Sequence, residues 1–309
     1  MGPTSAAIRV AGLHKAYGQV EAVAGIDFEV AEGECFALLG PNGAGKTTTV
    51  EILEGYRDRD AGEVEVLGHD PRRGERELRE RIGIVLQSSG HFRELSVREA
   101  LDLFGGYYPH PRATAEVIEL VGLGDKAGAR IKTLSGGQQR RLDLALGLVG
   151  DPDLLFLDEP TTGFDPSARR RSWELIESLR DLGKTILLTT HYMDEAQNLA
   201  DRVAILASGR IVASGTPDSL GGRDEGEAVI AFRLPGRATV ADLPDGLGAR
   251  PVLDEGRVEL RTTEPTRTLN ALTGWALARG LELEALTVTR PSLEDVYLQL
   301  TGAKEPTHA

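Results

Sequence analysis

The sequence has 309 residues, 40% of them hydrophobic and 27% charged, which is typical of a globular protein with one large domain and a smaller one. Its formal net charge of −13 argues against a nucleic-acid binder held by a broad basic surface, and its single cysteine, Cys35, excludes an intramolecular disulfide. The opening sequence MGPTSAAIRVAGLHK lacks a secretory signal and no apolar run approaches the roughly 20 residues that span a bilayer, so we expect any membrane role to depend on a partner.

The predicted elements begin with short strand-like runs, AIRVAGL, GIDFEV, CFALLG and GEVEVLG, which suit a sheet subdomain around a nucleotide site. Helical spacing follows in GERELRERIG, and residues 96–121 are predicted to be helical, opening on Ser96 and Glu99 at capping-box spacing. Strands then alternate with helices: DLLFLDE, a helix over 167–182, TILLTT, a helix over 193–200, and RVAIL. This alternation predicts a parallel sheet with crossover helices.

A domain boundary is predicted at residues 221–227, GGRDEGE, where glycine and charge cluster. Beyond it the sequence predicts a strand in AVIAFRL, a hairpin in PVLDEGRVELRT and a tryptophan-containing helix over 267–279. A strand in LEALTVT and a short helix in SLEDVYLQL follow. These elements describe a small α+β accessory domain. The predicted domains are residues 1–222 and 227–303.

The segment GPNGAGKT, residues 40–47, matches the phosphate-loop pattern G-x-x-x-x-G-K-[ST] without a mismatch. A strand, CFALL, precedes it and a helix, TTTVEILEGY, follows it, as the motif requires. Glycines let backbone N–H groups converge on phosphate oxygens, Lys46 adds a positive charge for the β- and γ-phosphates, and Thr47 offers a hydroxyl to Mg²⁺. The candidate nucleotide-binding residues of this loop are Gly40, Pro41, Asn42, Gly43, Ala44, Gly45, Lys46, Thr47 and Thr48.

Two carboxylates, Asp158 and Glu159, follow the apolar run LLFL at the predicted exit of a buried strand. Ligands and catalytic groups collect at the carboxyl ends of parallel strands. Asp158 is therefore a candidate to hold Mg²⁺, and Glu159 is a candidate general base that polarises a water for in-line attack on the γ-phosphate. The alternative interpretation is a pair of solvated acids that end a strand, which the phosphate loop in the same chain disfavours.

A second glycine-containing turn, formed by Ser135, Gly136 and Gly137, opens a predicted helix and has the form of another anion-binding site. With its continuation, the stretch LSGGQQRRLDLALGLVGDPDLLFLDEP resembles the signature motif of ATP-binding cassette (ABC) proteins, and the resemblance covers roughly residues 6–220. It implies an α/β fold, a P-loop NTPase cassette with a parallel core sheet, an antiparallel β subdomain and a helical subdomain. The small C-terminal α+β domain would follow this cassette.

In that family two cassettes pack head to tail and trap two ATP molecules between them. Each ATP sits on the phosphate loop of one cassette and is covered by the signature turn of the other. The resemblance therefore implies that this second turn contacts the γ-phosphate of ATP bound by a partner cassette. The signature residues implied to act across the interface are Ser135, Gly136, Gly137 and Gln138.

Further residues match motifs of the family. The resemblance implies that Tyr17 stacks on adenine and that Gln87 reaches Mg²⁺ and the attacking water. It also implies that Asp165 is the D-loop aspartate and that His191 contacts the γ-phosphate. Phe164 stands where the family usually has leucine, an exchange that we expect to alter packing without loss of function. The implied catalytic set is Glu159, His191 and Gln87, and the implied Mg²⁺ ligands are Thr47, Gln87 and Asp158.

The resemblance implies an ATPase subunit of an ABC transporter, with ATP and Mg²⁺ as cofactors and a second, identical cassette as partner. The C-terminal sequence TRPSLEDVYLQLTG resembles the tail of drug-resistance exporter ATPases, which serve separate membrane permeases of the ABC-2 class. We therefore expect export of a drug, antibiotic or lipid-like substrate, a position on the cytoplasmic side of the cell membrane held only through the permease, and no nucleic-acid partner. Residues 88–110, with the exposed-looking aromatics Phe92, Tyr107 and Tyr108, are predicted to dock on the permease. The alternative is that these aromatics fill the core of the helical subdomain itself.

Two alternatives to a transporter subunit stay open on the sequence. A soluble ABC ATPase of translation would carry two cassettes in one chain, and one of DNA repair would carry a long coiled coil. This sequence shows one cassette and no sustained heptads between Lys46 and Ser135. A nucleotide-binding switch without turnover is the second alternative, which the presence of Glu159 and His191 disfavours.

Overall fold

The structure is a computed structural model of the chain, which divides into two compact units, Met1–Pro217 and Asp218–Ala309. The described residues are 6–85, 93–220, 228–234, 239–244, 247, 251–254, 256–289 and 297. No helix in these ranges is both long enough and apolar enough to cross a membrane.

A largely parallel sheet forms the centre of the first unit. In the part of the chain that the structure describes, it has six strands in the order β5-β6-β7-β3-β8-β9, and only β9 runs antiparallel to its neighbour. Every residue of β3, β6 and β7 is buried, because both faces of this sheet are covered. The strands are β3 (Cys35–Leu39), β5 (Ile82–Val85), β6 (Leu154–Asp158), β7 (Thr185–Thr190), β8 (Arg202–Ala207) and β9 (Arg210–Gly215).

A second sheet of the first unit is antiparallel and, over the described ranges, has the order β2-β1-β4. Its strands are β1 (Ala6–Tyr17), β2 (Val20–Ala31) and β4 (Ala61–Val66). Phe28 of β2 stacks on Phe36 of β3 with ring centroids 5.4 Å apart, so the two sheets share one hydrophobic core. The predicted antiparallel subdomain is therefore present, but CFALL, grouped with its strands in the sequence, lies in the parallel sheet.

Helices of the first unit cover the parallel sheet or form a separate helical layer. The helices are α1 (Lys46–Leu53), α2 (Arg76–Arg81), α3 (Val97–Gly105), α4 (Thr114–Leu120), α5 (Gly136–Leu148), α6 (Pro166–Asp181) and α7 (Met193–Leu199). Contacts among α3, α4 and α5 build the helical subdomain. The predicted capping box of Ser96 and Glu99 is confirmed at the start of α3. The helices predicted over residues 96–121 are present as α3 and α4, separated by a segment that contains glycine and proline.

The aromatic pair after α3 has two different environments. Tyr107 is 70% exposed, as the sequence suggested for this segment. Tyr108 is half-buried instead, and its ring would lie 2.4 Å from a Cβ built at Gly150, so it packs within the first unit. Tyr108 therefore fits the alternative, packing within the unit, better than it fits an exposed position, because glycine at position 150 leaves room for its ring. Phe92 lies outside the described residues.

The second unit is a small α+β domain. Its described strands form an antiparallel sheet in the order β11-β12-β10-β13, and α8 packs against β10. A hydrophobic core gathers around Phe232, Leu260 and Leu272. The predicted hairpin and tryptophan-containing helix are present, whereas the predicted helix in SLEDVYLQL lies outside the described residues except for Tyr297. The elements are β10 (Ala228–Arg233), β11 (Val252–Asp254), β12 (Arg257–Thr262), α8 (Pro265–Ala278) and β13 (Glu284–Thr289).

Candidate nucleotide site

The phosphate loop connects the carboxyl end of β3 to the first residue of α1. Two of its glycines are required by close backbone approach. A Cβ at Gly40 would lie 2.3 Å from the carbonyl oxygen of Leu206, and a Cβ at Gly45 would lie 2.2 Å from that of Ala22. Gly45 also has φ of +105°, a conformation that favours glycine. The conformation of the loop is therefore restricted by neighbouring backbone atoms as well as by its own sequence.

Lys46 is buried inside this loop and its ammonium is fully engaged by oxygen atoms. Nζ donates to the carbonyl oxygens of Gly40 at 2.7 Å and Pro41 at 3.2 Å, and lies 3.7 Å from Oε1 of Glu159. Burial lowers the pKa of the Lys46 ammonium, and the neighbouring carboxylates of Glu159 and Asp158 oppose that shift. The positive charge is thus placed where a phosphate loop needs it.

Asp158 and Glu159 lie at the carboxyl end of β6, beside Thr189 of the adjacent strand β7. The Thr189 hydroxyl donates to Oδ1 of Asp158 and accepts from the backbone N–H of Glu159 at 3.1 Å. Oε2 of Glu159 accepts a hydrogen bond from the Thr162 hydroxyl at 3.0 Å, and Nδ1 of His191 lies 3.2 Å from Oε1. Glu159 has φ of +44°, a left-handed conformation uncommon for a residue with a side chain. Such backbone strain is concentrated at functional sites.

The fold thus brings four predicted residues to one edge of the parallel sheet: Lys46, Asp158, Glu159 and His191. Thr47 is exposed in the first turn of α1, which packs beside β6. A cation, two carboxylates and an imidazole in contact can bind phosphate, hold a metal ion and accept a proton from water. Gln87, the remaining member of the predicted catalytic set, lies outside the described residues.

Tyr17 ends β1 and is 41% exposed. The guanidinium of Arg57 lies 5.2 Å from its ring centroid, and the ammonium of Lys15 lies 5.7 Å from it. These distances are typical of cation–π contacts, which hold the ring while leaving part of its surface accessible. An accessible aromatic ring is what stacking on a nucleotide base requires.

The signature turn has a different environment from the phosphate loop. Ser135 is the exposed N-cap of α5, where it accepts a hydrogen bond from the N–H of Gln138, while its own N–H donates to the Gln138 side chain. No heavy atom of the described residues outside the helix backbone lies within 4 Å of a Cβ built at Gly136 or Gly137. Neither glycine has a positive φ. The described part of the chain therefore gives no packing reason for glycine at these positions.

The segment after Glu159, which contains the predicted D-loop aspartate, ends at the start of α6. Asp165 is exposed and caps α6, accepting from the N–H groups of Ser167 and Ala168, both at 2.9 Å. These hydrogen bonds lower the pKa of the Asp165 carboxyl, and the one from Ala168 has the larger effect. Phe164 is half-buried beside it. The observed role of Asp165 is thus that of a helix cap that leaves the carboxylate at the surface.

Sequence reasoning missed three residues that contact the site. Thr189 and Thr162 bind the two carboxylates, and the first could have been found from the parallel register that sets it beside Asp158. Arg140 of α5 is buried and donates to carbonyl oxygens of the β6 exit. The sequence held one signal for Arg140: spacings of four and eight residues place it on the same face of α5 as Leu144 and Leu148.

Comparison with known proteins decides the family. Residues 23–162 match the ABC transporter family model, and residues 228–292 match the C-terminal domain of ABC transporter domain-containing proteins. The chain is 40% identical to a daunorubicin resistance ATP-binding protein of Streptomyces coeruleorubidus, over 96% of each chain. The chain belongs to the ABC transporter family. The chain is also 42% identical to the Nod factor export ATP-binding protein I of Rhizobium sp. (strain N33), over 96% of its own length and 97% of the relative's.

Solved ABC cassettes share the fold of this one. The cbiO1 protein of Clostridium perfringens, part of the ABC transporter complex cbiONQ, has a TM-score of 0.62 and 29% identity, covering 69% of this chain and 89% of that one. The ADP conformation of another ABC transporter cassette also has a TM-score of 0.62, with 24% identity, over 69% of this chain and 92% of that one. The predicted P-loop NTPase cassette fold and ATPase activity are confirmed: this ABC cassette binds nucleotide and hydrolyses ATP.

Proposed function

We propose that this cassette is the ATPase of an exporter whose permease is a separate chain of the ABC-2 class, and that it works as a homodimer with Mg²⁺ and ATP. The observation that carries the hydrolytic part is the contact of Glu159 with both Lys46 and His191 at the edge of the parallel sheet. In this proposal Lys46 binds the β- and γ-phosphates, Glu159 accepts the proton of the attacking water, and His191 contacts the γ-phosphate.

The Mg²⁺ part of the proposal rests on the donor set. Thr47 supplies a hydroxyl and Asp158 a carboxylate, and Mg²⁺ prefers such oxygen ligands. Thr189 donates to one Asp158 oxygen and so orients the carboxylate, as partners of metal ligands commonly do. Gln87 stays a predicted third ligand. When bound, the metal would neutralise charge that develops on the phosphate oxygens.

The homodimer part rests on the signature turn. Gly136 and Gly137 are not needed by the packing around them, and Ser135 is exposed at the start of a helix. Helix N-termini attract anions, and small residues let a ligand approach the backbone closely. We infer that the ligand is the γ-phosphate of ATP held by the partner cassette, with the residues around Asp165 at the same interface.

The exporter part rests on relatives that share nearly the whole chain. Their names describe daunorubicin resistance and Nod factor export, so we propose an exported drug, antibiotic or lipid-like substrate and a position at the cytoplasmic side of the cell membrane. The alternatives in translation and DNA repair find no support in these relatives.

Docking on the permease through residues 88–110 stays a prediction. The exposure of Tyr107 supports it, as does a nearby cavity of about 500 Å³ that Phe104 and Tyr108 help to line.

Steady-state ATPase assays test the catalytic assignment. The purified chain should hydrolyse ATP only with Mg²⁺, and Glu159→Gln should bind ATP as the wild type does but turn over about 10²- to 10⁴-fold more slowly, since one well-placed base is removed. Glu174→Gln, on α6 and away from the contacts of Glu159, is the charge-matched control and should retain turnover. Wild-type turnover by Glu159→Gln would overturn the assignment.

A further inference from the structure

Arg140 makes the contacts that distinguish α5 from an ordinary covering helix. It is only 7% exposed, and its guanidinium faces three successive carbonyl oxygens at the exit of β6. Nε donates to Pro160 at 3.1 Å, and Nη2 donates to Asp158 at 3.1 Å and to Glu159 at 3.3 Å. Nη1 lies 3.8 Å from Oδ2 of Asp143, one turn further along the helix. A buried guanidinium needs such partners, because its desolvation is otherwise unfavourable.

The peptide groups that Arg140 contacts are those that set the direction of the Glu159 side chain. Glu159 has φ of +44°, so the chain turns sharply at this residue. Its N–H is held by Thr189 of the neighbouring strand, and its carbonyl oxygen is held by Arg140. Rotation of either peptide group would move the carboxylate away from His191 and Lys46. Arg140 therefore orients the Glu159 carboxylate through contacts with the backbone.

Arg140 also connects this turn to the signature turn. Ser135 is the N-cap of α5, and Arg140 is five residues further along the same helix. An α-helix has about 3.6 residues per turn, so Ser135 and Arg140 are separated by less than two turns of a stiff, hydrogen-bonded helix. A displacement of the first turn of α5 would move the guanidinium relative to the carbonyl groups of Asp158, Glu159 and Pro160.

We propose that Arg140 is a positioning residue that holds Glu159 in its catalytic orientation and links it to the signature turn of the same chain. The inference rests on the proposed function, in which Glu159 is the base and Ser135 binds the partner's nucleotide. Binding of ATP by the partner then acts on α5, and α5 acts on the hydrolytic carboxylate of this chain through Arg140. The two nucleotide sites of the dimer are thereby coupled within each chain.

Substitution by glutamine, with a neighbouring arginine as control, tests the positioning role. Arg140→Gln should lower kcat by roughly 10- to 100-fold, because a small misplacement of a catalytic group is that costly. The dissociation constant of ATP and the KM should not change, since Lys46 and the phosphate loop are not contacted by Arg140. Arg141→Gln is the matched control: Arg141 donates to the carbonyl oxygen of Gly122 at 2.8 Å and should keep wild-type turnover.

Combination with Glu159→Gln separates positioning from general support of the fold. If Arg140 acts through Glu159, Arg140→Gln should slow single-turnover hydrolysis little in the Glu159→Gln background, whereas its effect on the melting temperature should be the same in both backgrounds. Arg140→Lys keeps a buried cation without the planar fork and should have intermediate turnover. If Arg140→Gln does not fold, the same comparison is made with Arg140→Lys.

Four results would overturn the inference. These are equal kcat values for Arg140→Gln and Arg141→Gln, an equal slowing in both Glu159 backgrounds, a loss of ATP affinity in step with kcat, and wild-type turnover by Arg140→Lys when Arg140→Gln does not fold. Full turnover by Glu159→Gln itself would instead reject the proposed function, and the role of Arg140 would fall with it. The inference is supported if Arg140→Gln lowers the rate of hydrolysis only when Glu159 is intact.

Discussion

The phosphate loop and the signature turn both contain glycines and both open a helix, but the reasons for their glycines differ. At Gly40 and Gly45 a side chain would strike backbone atoms of the same chain, and Lys46 lies buried within the loop. At Gly136 and Gly137 the described residues leave open space, and the helix start is exposed. The phosphate loop is thus shaped by its own chain. The open signature turn is what we expect of half a site that, in the proposed function, a second chain completes.

The largest effect should come from adding a methyl group to the phosphate loop. Gly45→Ala would place its Cβ against the carbonyl oxygen of Ala22 while the backbone has φ of +105°. Backbone strain alone is of the order of 1–3 kcal/mol, so we expect a lower free energy of unfolding and a loss of ATP binding. Gly43→Ala is the control, because its φ of +81° is strained but no described atom is close.

Chemical denaturation and nucleotide titration measure both variants. Gly45→Ala should be the less stable of the two, and the difference reports the collision with Ala22 rather than backbone strain. Equal stability of the two variants would show that the loop can move away from β2, and the first half of the comparison would be incorrect.

The opposite pattern is expected at the signature turn. Gly136→Ala should leave the unfolded fraction of the isolated chain unchanged or lower it, since alanine favours helix over glycine by up to about 1 kcal/mol. Turnover should nevertheless fall, because the added methyl group would meet the nucleotide of the partner. Denaturation curves together with ATPase rates, measured for Gly136→Ala and for Gly128→Ala as an exposed-loop control, check this separation. A variant with unchanged turnover would remove the argument that these glycines serve a partner.

The residues of the site differ in how well the sequence predicted them. The phosphate loop and the strand-exit carboxylates were found from local sequence, because each has a fixed pattern beside an apolar strand. Arg140 and Thr189 were not found, since each reaches the site from an element distant in the chain. The register of the sheet and the face of α5 indicate where these side chains lie, but tertiary packing decides which atoms they contact.

The fold divides in a similar way. Alternating strands and helices predicted the parallel sheet, and the hairpin and α8 of the second unit were also expected. The edge strand Ile82–Val85 was missed because four residues carry too little periodicity to be distinguished from a loop. CFALL was placed with the wrong strands because a short apolar run does not reveal which sheet it joins.

The last effect concerns the pH dependence of stability and arises at Glu54, at the other end of the helix that the phosphate loop opens. It is 7% exposed, and Oε1 has no hydrogen-bond partner among the described residues. Burial, with smaller contributions from the charges of Asp158 and Glu51, raises the pKa of Glu54 to about 8. The unfolded chain ionises this group near pH 4.5 and the folded chain only near 8, so Glu54 increasingly destabilises the fold as pH rises between these values.

Glu54→Gln should therefore gain stability relative to the wild type as pH rises from about 5 to 8, by at most a few kcal/mol. Melting temperatures across this range measure the gain, and Glu51→Gln, at a partly exposed neighbour paired with Arg57, is the control for loss of one carboxylate from the same helix. A constant difference between Glu54→Gln and wild type at all pH values would contradict the raised pKa.

The central claim is that each nucleotide site is completed by the signature turn of a second chain. The most direct measurement mixes two inactive variants, Lys46→Ala, which keeps its signature turn, and Ser135→Arg, which keeps its phosphate loop. Each should be inactive alone, and a mixture should regain part of the Mg²⁺-dependent ATPase rate, because the mixed dimer has one complete site. If both variants are folded, Ser135→Arg still binds ATP, and the mixture shows no recovery, the two turns do not act across an interface and the account is contradicted.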